Sequence, residues 1–397
     1  MNTLDALFSD RIQDVPRSFI REILKVTMDK EMISFAGGLP NRRFFPIRQL
    51  REAADRVFSV HGSDCLQYSN SEGLIELRRF IADRYASHKG ISISPEHILI
   101  TNGSQQALDL IAKATLNTGD PVIVEEPGYL GAIQALSLYR PTFFPVEVDD
   151  RGMIIHDLEK AVTGNPKLMY TVPNFQNPSG ITYSRDVRNR IADILAETRC
   201  LLIEDDPYGD LRFSGEAEKS FHHLIPDQTI LLGSFSKVVV PGFRLGWVAA
   251  PEHIVEKLLI AKQASDLHTC NFTQYVMLEY LRNNDIDDHI ETIRTVYGNQ
   301  CRAMIAAIER EFPEGVSCTK PEGGMFLWGR LPGNMNSLEL FDRAVERNVA
   351  FVPGDPFYTA QSGVATFRLN FSCVDETVIN DGIARLAEAI RSFQEDQ

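Results

Sequence analysis

At 397 residues the chain exceeds one simple core and fits a large domain joined to a smaller one, with a cleft between them suited to a ligand. Its 40 Lys and Arg against 54 Asp and Glu leave a net charge of -14, which argues against nucleic acid as the partner and for small molecules. The six cysteines (Cys65, Cys200, Cys270, Cys301, Cys318 and Cys373) form no CxxC pair and no metal-ligand spacing, so no zinc site or disulfide framework is expected and a reducing cytoplasmic setting is.

Residues 1–11 carry Asp5, Asp10 and Arg11 and lack the apolar run of a signal peptide, and no later stretch reaches membrane-spanning length. There is no internal repeat and no linker-like tract, so the smaller domain is expected to be built from the chain ends, residues 1–50 and 291–397, against a large domain over 51–290. Over residues 17–28, Ile20, Ile23, Leu24 and Met28 recur at helical spacing. Residues 32–36 read as a short strand before the Gly37-Gly38-Leu39-Pro40 turn. Between about 97 and 250 the apolar runs HILIT, PVIVEE, KLMYTV, CLLIEDD, TILLGS and LGWVAA alternate with helical segments near 104–116, 129–138 and 185–198. Continuously apolar strands between helices imply a buried, mostly parallel sheet in an α/β domain. Beyond it come a helix near 284–311, a strand over 324–328, a helix over 337–347, strands over 349–352 and 365–372 and a closing helix, an α+β pattern.

In open α/β sheets ligands gather at the carboxyl ends of strands, so the residues after each apolar run are the ones to inspect. After TILLGS stands Lys237, preceded by Ser234 and Ser236 and followed by three valines and Arg244. An apolar setting lowers a lysine pKa and frees the amine for imine formation. The two hydroxyls and the forked guanidinium suit a phosphate dianion. Together they suggest pyridoxal 5'-phosphate (PLP). After HILIT, Gly103, Ser104 and Gln105 open a helix whose free N–H groups suit phosphate oxygens, although an ordinary capped helix reads the same way; the GxGxxG spacing of a dinucleotide site is absent. Asp205, at the end of CLLIEDD, suits a pyridine nitrogen, with Tyr208 three residues on; an acidic loop is the plain alternative. Asn177 follows KLMYTV and suits a ring oxygen or an Asx-turn, and Tyr129 follows PVIVEE and suits either stacking on a ring or burial at a helix start. In ATFRLNFS, Arg368 alternates away from Phe367, Leu369 and Phe371, placed for an α-carboxylate or for a structural salt bridge.

These residues, together with Ile33-Ser34-Phe35-Ala36-Gly37-Gly38-Leu39-Pro40, Gln67-Tyr68-Ser69, Glu126-Pro127-Gly128-Tyr129, Asn177-Pro178-Ser179-Gly180, Pro241-Gly242-Phe243-Arg244 and Pro321-Glu322-Gly323-Gly324-Met325-Phe326, resemble the fold type I, class I/II PLP-dependent aminotransferases over nearly the whole chain, most closely the 2-aminoadipate and kynurenine subgroup. The resemblance implies an aspartate aminotransferase-like fold: a mostly parallel seven-stranded sheet in the large PLP-binding domain, plus a smaller α+β domain. It further implies that Lys237 holds the cofactor aldehyde and moves the proton between Cα and cofactor. Asp205 would pair with the pyridine nitrogen, and Asn177 and Tyr208 would hold the ring oxygen. Ser104, Gln105, Ser234, Ser236 and Arg244 would bind the phosphate, and Tyr129 would stack on the ring. Arg368 and Asn177, with Gly38 close by, would take the substrate α-carboxylate. A homodimer is implied, with Tyr68 reaching the neighbouring subunit's phosphate. Arg21 stands where related enzymes meet a distal carboxylate, as in 2-aminoadipate or glutamate; a solvated helix residue is the alternative, and Phe19 replaces a small polar residue of some relatives.

The expected activity is transamination from an amino acid (2-aminoadipate, aromatic or kynurenine, or branched and aliphatic) to a 2-oxo acid such as 2-oxoglutarate, with ping-pong kinetics. A PLP lyase or decarboxylase is the nearest alternative, because the same cofactor supports loss of other Cα substituents. A MocR-type regulator is disfavoured, since the chain begins with the aminotransferase arm and is acidic.

Overall fold

A computed structural model describes residues 7–13, 15, 23, 31–333, 335–359 and 361–396. Its strands are β1 (Ile33–Ser34), β2 (Ile98–Thr101), β3 (Pro121–Glu126), β4 (Thr142–Asp149), β5 (Gly152–Met153), β6 (Leu168–Thr171), β7 (Leu201–Asp205), β8 (Thr229–Ser234), β9 (Gly246–Ala249), β10 (Ser317–Cys318), β11 (Phe326–Arg330), β12 (Val349–Ala350), β13 (Val352–Pro353) and β14 (Thr366–Asn370). The large sheet runs β2-β9-β8-β7-β6-β3-β4-β5. Every pairing from β8 through β7, β6 and β3 to β4 is parallel, while β9 runs against both β2 and β8. The seven strands expected are joined by an eighth, the two-residue β5, which folds back on β4 through the Asp149–Gly152 pairing.

Both faces of this sheet are covered, which is why its strands carry apolar residues without alternation. On one face Ile123, Met169 and Leu202 lie side by side in register beneath Ile191 and Leu195 of the Arg185–Ala196 helix. On the other, Val124, Tyr170, Ile203 and Ile230 line up within the main core, which also takes Leu108 and Ile111 of the Ser104–Thr115 helix. Each such aliphatic side chain, when fully buried, contributes about 1.5–3 kcal/mol by leaving water. Ser184 starts the Arg185–Ala196 helix by accepting from Val187 N, and Asp285 starts the Ile286–Glu311 helix by accepting from Asp287 N and Asp288 N.

A second, antiparallel sheet, β10-β11-β14-β13, carries the long helices Ile286–Glu311 and Glu376–Glu395. The single strand expected over 349–352 is instead two. Val349 and Ala350 pair with β1, then the chain passes through buried Phe351 and pairs as β13 with β14. The amino-terminal segment 31–36 thus joins the carboxyl-terminal part through a two-stranded ladder. No helix among the described residues is long and apolar enough to cross a membrane.

Candidate active site

The carboxyl ends of β2, β3, β6, β7 and β8 share one edge, because only β9 and β5 run the other way. A cleft of about 610 Å³ opens there, lined by Gly38, Ser104, Gln105, Tyr129, Asn177, Asp205, Tyr208, Ser234, Ser236, Lys237, Arg244 and Arg368. Twelve residues singled out from the sequence are therefore gathered in one place. Tyr68 is not among them: its side chain is exposed and meets the His268 ring edge-on at 5.8 Å. Arg21 and Phe19 lie outside the described residues.

Lys237 follows β8 and leans its Nζ over the Tyr208 ring, 5.9 Å from the centroid, while donating to Gly38 O at 2.8 Å. Burial first, then the charges of Arg368 and Arg244, lower its pKa to about 8. About a tenth of the amine is thus unprotonated at pH 7, far more than at the ordinary lysine value.

Two adjacent aspartates, of which only Asp205 lines the cleft, are put to different uses. Asp206 lies in a lattice of Lys89, Asn174 Nδ2 at 2.9 Å and Gly209 N at 3.0 Å; burial opposes its charge, but Lys89 holds its pKa below the usual carboxylate range. Asp205 ends β7 on the opposite side of the pleat. Its Oδ2 accepts from Tyr170 OH at 2.8 Å, whereas its buried Oδ1 has no hydrogen-bond partner. Burial raises its pKa to about 7. A buried carboxylate oxygen without a donor is costly, and a protonated ring nitrogen would satisfy it.

The cleft also gathers hydroxyl, guanidinium and helix N–H donors of the kind suited to a phosphate. The Ser104–Thr115 helix starts at the cleft with Ser104 and Gln105, the residues whose N–H groups its own ladder leaves unused. Arg244, held at φ 53°, donates to Asn102 O at 3.2 Å and carries no ion pair among the described residues. Gly103 makes this approach possible: at φ 76° a Cβ there would fall 2.5 Å from Arg244 Nη2. Ser234 accepts from Ser236 N at 3.0 Å, and Gln105 Nε2 donates to Gly131 O at 2.8 Å, fixing the turn that follows Tyr129. Burial raises the Tyr129 pKa to about 12 and pushes Tyr208 higher still, so both phenols stay protonated.

Arg368 enters from β14. Its Nη1 donates to Asn177 Oδ1 at 2.7 Å and its Nη2 to Ala36 O at 2.8 Å, between the rings of Phe326 at 4.4 Å and Phe357 at 5.2 Å. Nε has no partner, and no carboxylate pairs with this guanidinium among the described residues. The salt-bridge alternative thus finds no partner among the described residues. Burial lowers its pKa to about 10, which still leaves it a cation at neutral pH.

The residues present fit PLP: an unpartnered acceptor for the ring nitrogen, hydroxyl and guanidinium donors for the phosphate, and a lysine of lowered pKa between them. Tyr170 escaped the sequence reading. A phenol within a buried central strand is the signal, since a buried tyrosine hydroxyl needs a partner.

Residues 31–386 match the family described as aminotransferase class I and II. The chain is 40% identical over 391 residues to aromatic-amino-acid aminotransferase 1 of Thermococcus litoralis, covering 97% of this chain and 94% of that one. Among solved structures it superposes with a TM-score of 0.94 on the Pyrococcus horikoshii kynurenine aminotransferase in complex with PMP, at 41% identity over 98% of both chains. It also superposes with a TM-score of 0.93 on the α-aminoadipate aminotransferase LysN of Thermus thermophilus, complexed with N-(5'-phosphopyridoxyl)-L-leucine, at 38% identity over the whole of both chains.

Proposed function

Because this chain belongs to the class I and II aminotransferases and is a PLP-dependent enzyme of that family, we propose that its twelve-residue cleft carries out transamination with the roles that follow. When bound, PLP supplies an electron-withdrawing ring that stabilises negative charge at the substrate Cα. Asp205 Oδ1 receives the ring nitrogen, while Asn177 and Tyr208 hold the ring oxygen and Tyr129 stacks on the face. Ser104, Gln105, Ser234, Ser236 and Arg244 bind the phosphate. Arg368 orients the amino acid through its carboxylate beside Asn177 and Gly38, and Lys237 Nζ moves the proton at Cα. The observation that carries this reading is the convergence of three groups on one cleft: a lysine of lowered pKa, an unpartnered Asp205 oxygen and an Arg368 with no carboxylate partner among the described residues.

The donors are taken to be 2-aminoadipate, aromatic amino acids including kynurenine, or branched and aliphatic amino acids, with 2-oxoglutarate as acceptor; the names of the relatives and the apolar Leu39 and Leu130 on the cleft wall support this range. Arg21 is the candidate for a distal carboxylate. We further infer a homodimer in which exposed Tyr68 completes the neighbouring site, a division into 1–50 with 291–397 against 51–290, and a cytoplasmic setting. A panel of amino donors with and without 2-oxoglutarate tests the reading. Turnover that requires the acceptor, with parallel double-reciprocal lines, is expected. Sustained keto acid formation without any acceptor would sink it in favour of a lyase.

A further inference from the structure

Behind the phosphate end of the cleft lies a charged group that touches none of the cleft. Lys262, on the Glu252–Gln263 helix, has no exposed surface. Its Nζ donates to Gln106 Oε1 at 3.0 Å, to Asp266 Oδ1 and Oδ2 at 3.0 and 3.1 Å, and to Thr269 Oγ1 at 3.0 Å. Asp266 Oδ2 also accepts from Asn102 Nδ2 at 2.6 Å and Gln106 Nε2 at 2.7 Å, and Gln106 Oε1 accepts from Asn102 N at 2.8 Å. An ammonium has three protons and no acceptor, and all three are used within this cluster. A buried pair of this kind is weak evidence for stability, because apolar residues of similar volume commonly do as well. Its geometry points elsewhere. Both the side chain and the N–H of Asn102 are tied to the cluster, and the carbonyl of the same residue receives Arg244 Nη2. The next two residues are Gly103, pressed against Arg244, and Ser104, the first residue of the helix that faces the cleft.

We propose that the Lys262–Asp266 pair is a positioning device for the cofactor phosphate. It holds the Asn102-Gly103-Ser104 turn and, through Asn102 O, the Arg244 guanidinium, and so sets phosphate affinity without contacting the cofactor. This rests on the phosphate placement proposed above for Ser104 and Arg244. The 266–269 turn also meets Tyr68 through the His268 ring, so the pair that aligns one subunit's cradle steadies the phenol offered to its neighbour.

The test compares PLP with pyridoxal, which lacks the phosphate, on the full-length wild type, Lys262→Met, Asp266→Asn and the double variant Lys262→Met with Asp266→Leu. The PLP dissociation constant is expected to rise by at least about tenfold in each variant, the scale of loss when partners orienting a binding group are removed. Pyridoxal affinity should stay within about twofold, since the ring end is untouched. The double variant leaves no unpaired charge, only the Asn102 and Gln106 amides short of an acceptor, and is expected to fold with a melting temperature lowered by no more than a few degrees, which separates positioning from folding. Unchanged PLP affinity in all variants, an equal loss for both ligands, or a double variant that does not fold would each overturn the proposal. A wild type that binds PLP no more tightly than pyridoxal would retract the phosphate placement instead.

Discussion

Replacing Arg368 with Met removes a buried cation of the cleft wall that has no carboxylate partner among the described residues. The substrate α-carboxylate then loses its fork, and removing one member of a buried, hydrogen-bonded charge pair costs about 2–5 kcal/mol. At about 1.4 kcal/mol per factor of ten, kcat/KM for an amino acid should fall roughly 30-fold to 3000-fold. Two protein acceptors, Asn177 Oδ1 and Ala36 O, also lose their donors, so a drop in melting temperature accompanies the kinetic loss. The assay that isolates the substrate contribution uses an amino acid and the amine of the same side chain without the carboxylate. Only the amino acid should lose its rate, because the amine never used the fork. Equal losses for both compounds would show that the substitution acts through the fold or through Asn177, and the assignment of Arg368 as carboxylate anchor would fall.

Three further outcomes are expected. In the protein freed of cofactor, Lys237 titrates at about 8 against an ordinary 10.5, so the folded state binds fewer protons in that window and wild-type stability falls as the pH drops through it. Lys237→Met should therefore be more stable than wild type at pH 7, by up to roughly 3 kcal/mol, with the gain vanishing above the ordinary lysine range; pH-independent melting differences would contradict this. Tyr170→Phe strips Asp205 Oδ2 of its donor within the core, which should cost about 1–3 kcal/mol of stability and raise the Asp205 pKa from about 7; urea unfolding and carboxylate titration by NMR report the two effects. Mixing subunits of inactive Tyr68→Phe with subunits of inactive Lys237→Ala should restore about a quarter of the sites if Tyr68 acts across a two-fold interface, because half the dimers are hybrids with one intact site. No recovery would show that Tyr68 does not complete the neighbouring site.

The parts of this molecule legible in its sequence are those whose cause is local. Lys237, Asp205 and Asn177 each follow an apolar run, and the strand ends that carry them do line up. β4 was not read from the sequence because Pro145 interrupts it and a proline ordinarily demotes a strand; here it sits near the edge of the sheet, paired in parallel with Val124. The break between Ala350 and Val352 was equally hidden, since a run of Val, Ala, Phe and Val looks continuous and only its two different partners, β1 and β14, divide it. The Lys262 cluster depends on residues 156 positions apart in the chain, a separation over which no spacing rule operates.

Ser234 pairs with Gly246 across β8 and β9, and Phe235 N still donates to Leu245 O at 3.1 Å just beyond them. Lys237 and Arg244, the arginine proposed to bind the phosphate, therefore belong to one hairpin whose two ends are clamped a fixed distance apart. Their separation is a covalent ruler, calibrated by the number of residues in the loop rather than by how the rest of the protein is arranged. Shortening or lengthening residues 236–244 by a single position would mismatch the two groups to a rigid cofactor while leaving the sheet intact, so loop length is a dimension this fold is not free to vary.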